Sequence, residues 1–211
     1  PIYISEAING KLLYPEFYDK NLIGNDYYRE VYLSKDKIVK FSASTQGKRY
    51  VESWRESNKI TGNIVSITLR RYGHDPIRNS NVDEWIKFAR LIKGEGFTPV
   101  FIPDTDSCFE LGSKLEDFIV FSDLCWNMGL RAAFYEDAYL NFFNPNGPGM
   151  YANFSNNIES VTMKYAMEES ETNNNDLHKS RGLSIGQRKF DFVENYQVLS
   201  WEPDTFENIS K

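Results

Sequence analysis

Three arginines crowd one short stretch of this chain. Arg70 and Arg71 close an apolar run, Arg78 follows a break containing Gly73 and Pro76, and His74 lies between them. A guanidinium is a permanently charged, planar set of donors that matches the oxygens of a phosphate or carboxylate. Three on one loop are therefore candidates for an anion site, with ordinary pairing to surface carboxylates as the alternative. Downstream, Asp104-Thr105-Asp106 follows a second apolar run. Two carboxylates on so short a loop suit Mg²⁺ or Mn²⁺, or they simply solvate a strand end. A third stretch, Asn144-Pro145-Asn146-Gly147-Pro148-Gly149, follows two phenylalanines. Glycine there lets ligand oxygens approach backbone amides, although the same composition also makes a plain turn.

Those loops need elements to hold them. Ile64 to Leu69 is a short run of mostly β-branched and apolar residues, as suits a strand covered on both faces of a parallel sheet. Asn79 to Asn81 can start a helix, and Asn81 with Glu84 has the spacing of a capping box. Val82, Trp85, Ile86, Ala89 and Ile92 then share one helical face until Gly94 and Gly96 end the run. Val100 to Ile102 is a second strand, which completes a βαβ unit of roughly 40 residues with a right-handed crossover expected. In such units ligands bind at the carboxyl ends of the strands. Further on, Ser107 to Lys114 reads as a loop, and Asp117 to Phe121 as an element of ambiguous type. A largely buried helix is expected over Gly129 to Leu140, then a short aromatic strand at Asn141 to Phe143, and another strand at Val161 to Met167. The acidic and Asn-rich segment Glu168 to Lys179 reads as a mobile surface loop, with His178 solvated inside it. Gly182 to Gln187 is a turn or one more ligand-facing loop. At the other end, Glu30 to Leu33 and Lys37 to Phe41 are short strand candidates, and Lys48 to Lys59 a helix. The fold class is α/β, a Rossmann-like parallel sheet with helices on both faces. Residues 1–60 form a lead-in or the remnant of another domain, and residues 61–211 the Rossmann-like domain.

The bulk properties narrow the partners. In 211 residues the charged fraction of 26% and hydrophobic fraction of 41% are those of an ordinary globular protein, and the 13 Tyr and 15 Phe point to a thick aromatic core. A net charge of −6 argues against a general nucleic-acid binder, so a local cluster of arginines suits a small anion better than a polyanion. Cys108 and Cys125 lack zinc-site spacing and read as two reduced thiols, with the cytoplasm, free or at the membrane periphery, as the expected compartment. No apolar stretch reaches the ~20 residues of an integral membrane span, and no signal peptide is evident. The start at Pro1 instead of Met suggests a fragment.

Taken in order, these features resemble a family. The strand ending in an Arg pair, Arg78-Asn79-Ser80-Asn81 with Trp85 beyond, the strand into Pro103-Asp104, the run Leu130-Arg131-Ala132-Ala133-Phe134-Tyr135-Glu136, and Asn146-Gly147-Pro148 are similar to the nucleotide-sugar-binding half of GT-B glycosyltransferases. The likeness leans toward fucosyltransferase-like and heptosyltransferase-like enzymes and covers about Ile64 to Met167. It implies one half of a GT-B architecture, with the acceptor domain missing or reduced. It also implies transfer of a sugar from a nucleoside-diphosphate sugar to a carbohydrate or glycan acceptor, as in polysaccharide biosynthesis. Arg70, Arg71 and Arg78 would stabilise the leaving diphosphate without a metal cofactor. Asn79, Asn81, Asp104, Asn146, Gly147 and Gly149 would surround the substrate. The rivals are a metal-dependent GT-A-like transferase using Asp104 and Asp106, a non-catalytic nucleotide or carbohydrate binding module, and a structural domain whose arginines make salt bridges.

Overall fold

The structure, a computed structural model, describes residues 40–110, 113–180, 183–193 and 196–211. The strand candidate Glu30 to Leu33, residues Lys37 to Val39 of the next one, and Gly182 lie outside them. Contacts divide the chain into Pro1–Ile38 and Val39–Lys211, and the described elements all belong to the second unit.

Six strands form one sheet: β1 (Ile64–Thr68), β2 (Thr98–Ile102), β3 (Ile119–Val120), β4 (Leu140–Phe143), β5 (Ser160–Thr162) and β6 (Gln197–Leu199). Their order is β3-β2-β1-β4-β5-β6 and every pairing is parallel. This is the doubly wound arrangement, in which the winding reverses between β1 and β4 and leaves a crevice at the carboxyl ends. Register brings the ends of three strands level, since Thr68 pairs with Ile102 on one side and with Phe143 on the other.

The helices are α1 (Thr45–Ser57), α2 (Val82–Gly94), α3 (Met128–Asp137), α4 (Gly147–Asn153), α5 (Asn175–Ser180) and α6 (Phe206–Ile209). All five residues of β1 are buried, as a strand covered twice requires. Side chains alternate faces along a strand. Ile64, Val100, Ile102 and Phe143 accordingly join Val51 of α1 and Phe134 of α3 in one core layer. Val65, Ile67, Phe101 and Phe142 join Trp85, Phe88 and Ala89 of α2, with Ile209 of α6, in the other. Aromatic rings fill both layers. Trp54 stacks on Phe121 at 4.0 Å, and Phe142 meets Phe88 and Trp85 edge-on at 5.1 and 5.4 Å.

Local expectations fail where a distant residue intervenes. Asn81 is the N-cap of α2, but its side chain makes no capping bond and no capping box forms. Its amide donates instead to Asp204 Oδ2 at 2.8 Å, while Glu84 accepts from the amide of Phe206. The fourth expected strand ends at Thr162, because Lys164 adopts a left-handed φ of 56° that no strand continues through. The Asp117 to Phe121 segment resolves as β3. The segment expected as a mobile loop carries α5 and buries Ser170, Asn173 and His178. His178 is only 2% exposed, packed on Tyr165 at 4.6 Å and hydrogen-bonded to Asn173 Oδ1 at 3.1 Å, so the solvated reading is corrected. Its apolar contacts come from Tyr165 and Trp201, which local composition does not reveal.

Candidate functional site

The loop after β1 is clamped at its base. Ser80 donates its amide to the Arg70 carbonyl at 2.9 Å, and its hydroxyl accepts from the Arg70 amide at 2.8 Å. Within the loop, Asn79 Oδ1 accepts from the Arg70 guanidinium at 2.7 Å and from the Tyr72 amide at 3.0 Å, while Asn79 Nδ2 donates to the Tyr72 carbonyl. Asp75 turns the chain with a left-handed φ of 58°, opening a 3-10 turn over Pro76–Arg78. That backbone strain is held by tertiary bonds, for the Asp75 carboxylate accepts from Ser170 and Thr172, both at 2.6 Å. Arg78 in turn donates to Thr172 Oγ1 at 2.9 Å and to the Pro145 carbonyl at 3.1 Å.

Beside this loop lies a cleft of about 310 Å³ at the carboxyl ends of β1, β2 and β4. One wall is Thr68, Leu69, Arg70, Tyr72 and Arg78, the next is Pro103 and Asp104, and the last is Pro145 to Pro148. Arg131 from the first turn of α3 completes it. The expected arginine loop and the expected asparagine-glycine loop therefore meet on one rim.

Three guanidiniums face this space, and among the described residues none of them has a carboxylate within 4.0 Å, although Arg55, Arg71 and Arg90 each do. Arg70 and Arg131 are 6% and 5% exposed. Burial lowers the basicity of Arg70, partly offset by Asp104 and Asp75. Burial also lowers that of Arg78, and the nearby charge of Arg70 lowers it further against the pull of Asp75. Clustered like charges in a partly buried site, with no carboxylate in direct contact, are an unfavourable arrangement that a bound anion relieves. The Arg78 Nε hydrogen is likewise buried without a partner.

The expected site residues fall into two groups. Arg70, Arg78, Asp104, Asn146 and Gly147 line the cleft; Arg71, Asn79, Asn81 and Gly149 do not. Arg71 reaches Glu110 across the surface at 3.5 Å. Asn79 braces the loop, Asn81 stands at the start of α2 with its amide on Asp204, and the Gly149 amide donates to Asn146 Oδ1 at 2.8 Å as part of the α4 cap. Arg131 was absent from the sequence-based set. Its signal was an arginine inside a run of Ala and aromatic residues, on a helix expected to be buried.

Of the Asp-x-Asp pair, Asp104 alone lines the cleft. Asp104 Oδ2 accepts the Arg71 amide and Oδ1 the Thr105 amide, while Asp106 is exposed and off the cleft. Among the described residues no three His, Cys, Asp or Glu side chains are grouped to hold an ion. Cys108 and Cys125 are free thiols. Cys125 donates to the Pro103 carbonyl at 3.0 Å, and burial pushes its thiol up to about 11. No helix of the described residues is long and apolar enough to cross a membrane.

The fold has a solved counterpart. The chain is similar to the crystal structure of the glycosyl transferase family 9 protein from Veillonella parvula DSM 2008, with a TM-score of 0.55 at 14% identity. The match covers 71% of this chain and 45% of that one, so the chain spans less than half of that protein's length. At this identity the likeness establishes a shared fold, the Rossmann-like parallel sheet flanked by helices. No protein-family model matches the sequence, and no curated protein does.

Proposed function

We propose that the chain is the donor-binding half of a GT-B glycosyltransferase and holds the diphosphate of a nucleoside-diphosphate sugar in the cleft at the β1/β4 switch point. The observation that carries this reading is the set of arginines on one cleft that, among the described residues, have no carboxylate within 4.0 Å. Fixed cations in a partly dry site stabilise charge that develops on a leaving group. In sugar transfer the bond from the anomeric carbon to the diphosphate breaks, and the departing phosphate oxygen gains that charge. Arg70 and Arg78 are the groups placed to meet it, held by Asn79, Thr172 and the Pro145 carbonyl. The glycosyl transferase family 9 structure of the same fold supports the choice of chemistry.

Purine and pyrimidine diphosphate sugars at millimolar concentration test the reading against the full chain. A ligand at 100 times its Kd stabilises by about 2.7 kcal/mol, and each kcal/mol moves the midpoint of a domain this size by about 2–4 °C, so a rise of roughly 5–10 °C is expected. Arg78→Met should abolish it. If no nucleotide of either kind moves the wild-type midpoint, the reading is wrong. A non-catalytic nucleotide-binding module is the second reading. It is favoured by the fact that Asp104, the only carboxylate lining the cleft among the described residues, already accepts an amide on each oxygen. Transfer of sugar by this chain alone eliminates it.

A further inference from the structure

The three cleft arginines are not equivalent. Arg70 and Arg78 leave one loop eight residues apart in the clamped turn, and Arg70 sits close enough to depress the basicity of Arg78. Arg131 comes from a different element, α3, and enters the same cleft wall from there. Its Nε donates to the Leu124 carbonyl at 2.7 Å, and the Cys125 sulfur is a further hydrogen-bond neighbour of the guanidinium. The residue is 5% exposed, so what accessible surface it keeps belongs to the cleft wall. A guanidinium fixed at Nε by a backbone carbonyl still carries further N–H donors on its terminal nitrogens, which an oxyanion in the cleft can take. Leu124 belongs to a 3-10 turn, Ser122–Cys125, which is tied to the β2 loop by the Cys125–Pro103 hydrogen bond.

We propose that the cleft is a two-phosphate site in which Arg131 holds one phosphate and the Arg70–Arg78 pair holds the other. The assignment rests on the donor-binding reading for its ligand class and adds the order of the phosphates. In a nucleoside-diphosphate sugar each phosphate carries about one charge, and after the sugar leaves the terminal one carries close to two. The paired cations match the phosphate whose charge grows, and the single cation matches the phosphate next to the nucleoside. Arg131 is thus a specificity residue for diphosphate over monophosphate.

Calorimetric titration of the full chain with inorganic pyrophosphate and with orthophosphate reads this directly. Wild type should bind pyrophosphate more tightly than orthophosphate by about tenfold or more, the scale of one charge-assisted hydrogen-bonded pair. Arg131→Met should collapse that preference while changing orthophosphate affinity less than about twofold, whereas Arg78→Met should weaken both anions. Arg131→Lys, which keeps the charge without the fork, should restore part of the preference and serves if the Met variant does not fold. An unchanged preference in Arg131→Met or Arg131→Lys, or equal weakening of both anions, overturns the two-phosphate assignment and leaves the donor reading standing. Pyrophosphate bound through Arg131 with no nucleotide bound does the reverse. Binding of neither anion by wild type ends both.

Discussion

Asp204 is the most informative single residue to remove. It comes from the last stretch of the chain, is 3% exposed, and accepts three hydrogen bonds on Oδ2: from the Asn81 amide at 2.8 Å, Trp85 Nε1 at 3.0 Å and Asn144 Nδ2 at 3.1 Å. Its Oδ1 pairs with Lys164 at 3.4 Å, and that ammonium also donates to the Asn79 carbonyl at 2.9 Å. One carboxylate thereby ties the start of α2, the loop after β4 and the base of the arginine loop. Asp204→Ala strips a largely buried ammonium, that of Lys164, of its counter-charge and leaves three donors unpaired. Breaking a buried pair from one side costs about 3–5 kcal/mol, and the shared oxygen makes the separate hydrogen bonds far from additive, so about 4 kcal/mol is expected. That is a large part of the roughly 5–15 kcal/mol that holds a domain together. Asp204→Asn keeps an acceptor for the three donors but loses the charge facing Lys164, and should cost about half as much. Urea denaturation measures both, with an unchanged slope required so that the midpoint reports stability alone. Adding Lys164→Met to Asp204→Ala should recover part of the loss, because the orphaned charge goes too. A stability for Asp204→Ala within about 1 kcal/mol of wild type would refute the idea that this carboxylate braces the rim.

Two further outcomes follow from the geometry. A Cβ at Gly149 would lie 3.2 Å from Phe143 Cβ and Cγ and from Asn146 Oδ1, whereas one at Gly147 meets nothing within 4 Å. Gly149→Ala should therefore cost about 1–3 kcal/mol and Gly147→Ala almost nothing, and equal midpoints for the two in urea would contradict the packing. Burial pushes the Tyr135 phenol up to about 12, and its hydroxyl shares a 2.9 Å hydrogen bond with Thr68. The unfolded phenol loses its proton first, near pH 10, so the unfolded state binds fewer protons and stability falls as pH rises, by up to about 2–3 kcal/mol between pH 10 and 12. Denaturation at pH 9 and pH 11.5 should show that loss diminished in Tyr135→Phe.

Much of the sheet was legible because its signal is local. The β-branched run at Ile64 to Leu69, the apolar face of Val82 to Ile92 and the run ending at Ile102 specify strand, helix and strand by residue spacing alone. The position of the loops at strand ends follows from chain order. Which loop residues reach the cleft did not follow. Arg70 and Arg71 are neighbours of the same type, yet one is buried against Asn79 and the other pairs with Glu110 at the surface.

Residue types and their spacing therefore determined an α/β chain with cationic and glycine-bearing loops at strand ends, since alternation and helical period are properties of neighbours. Tertiary structure decided the rest. Only the strand order sets β4 beside β1 and brings Asn146 to Arg70, and only the packing of α3 delivers Arg131 to the same wall. Asp204 and Thr172 reach the rim from more than 90 residues away. Contacts made across such separations depend on how whole elements pack, and no spacing of neighbouring residues encodes them.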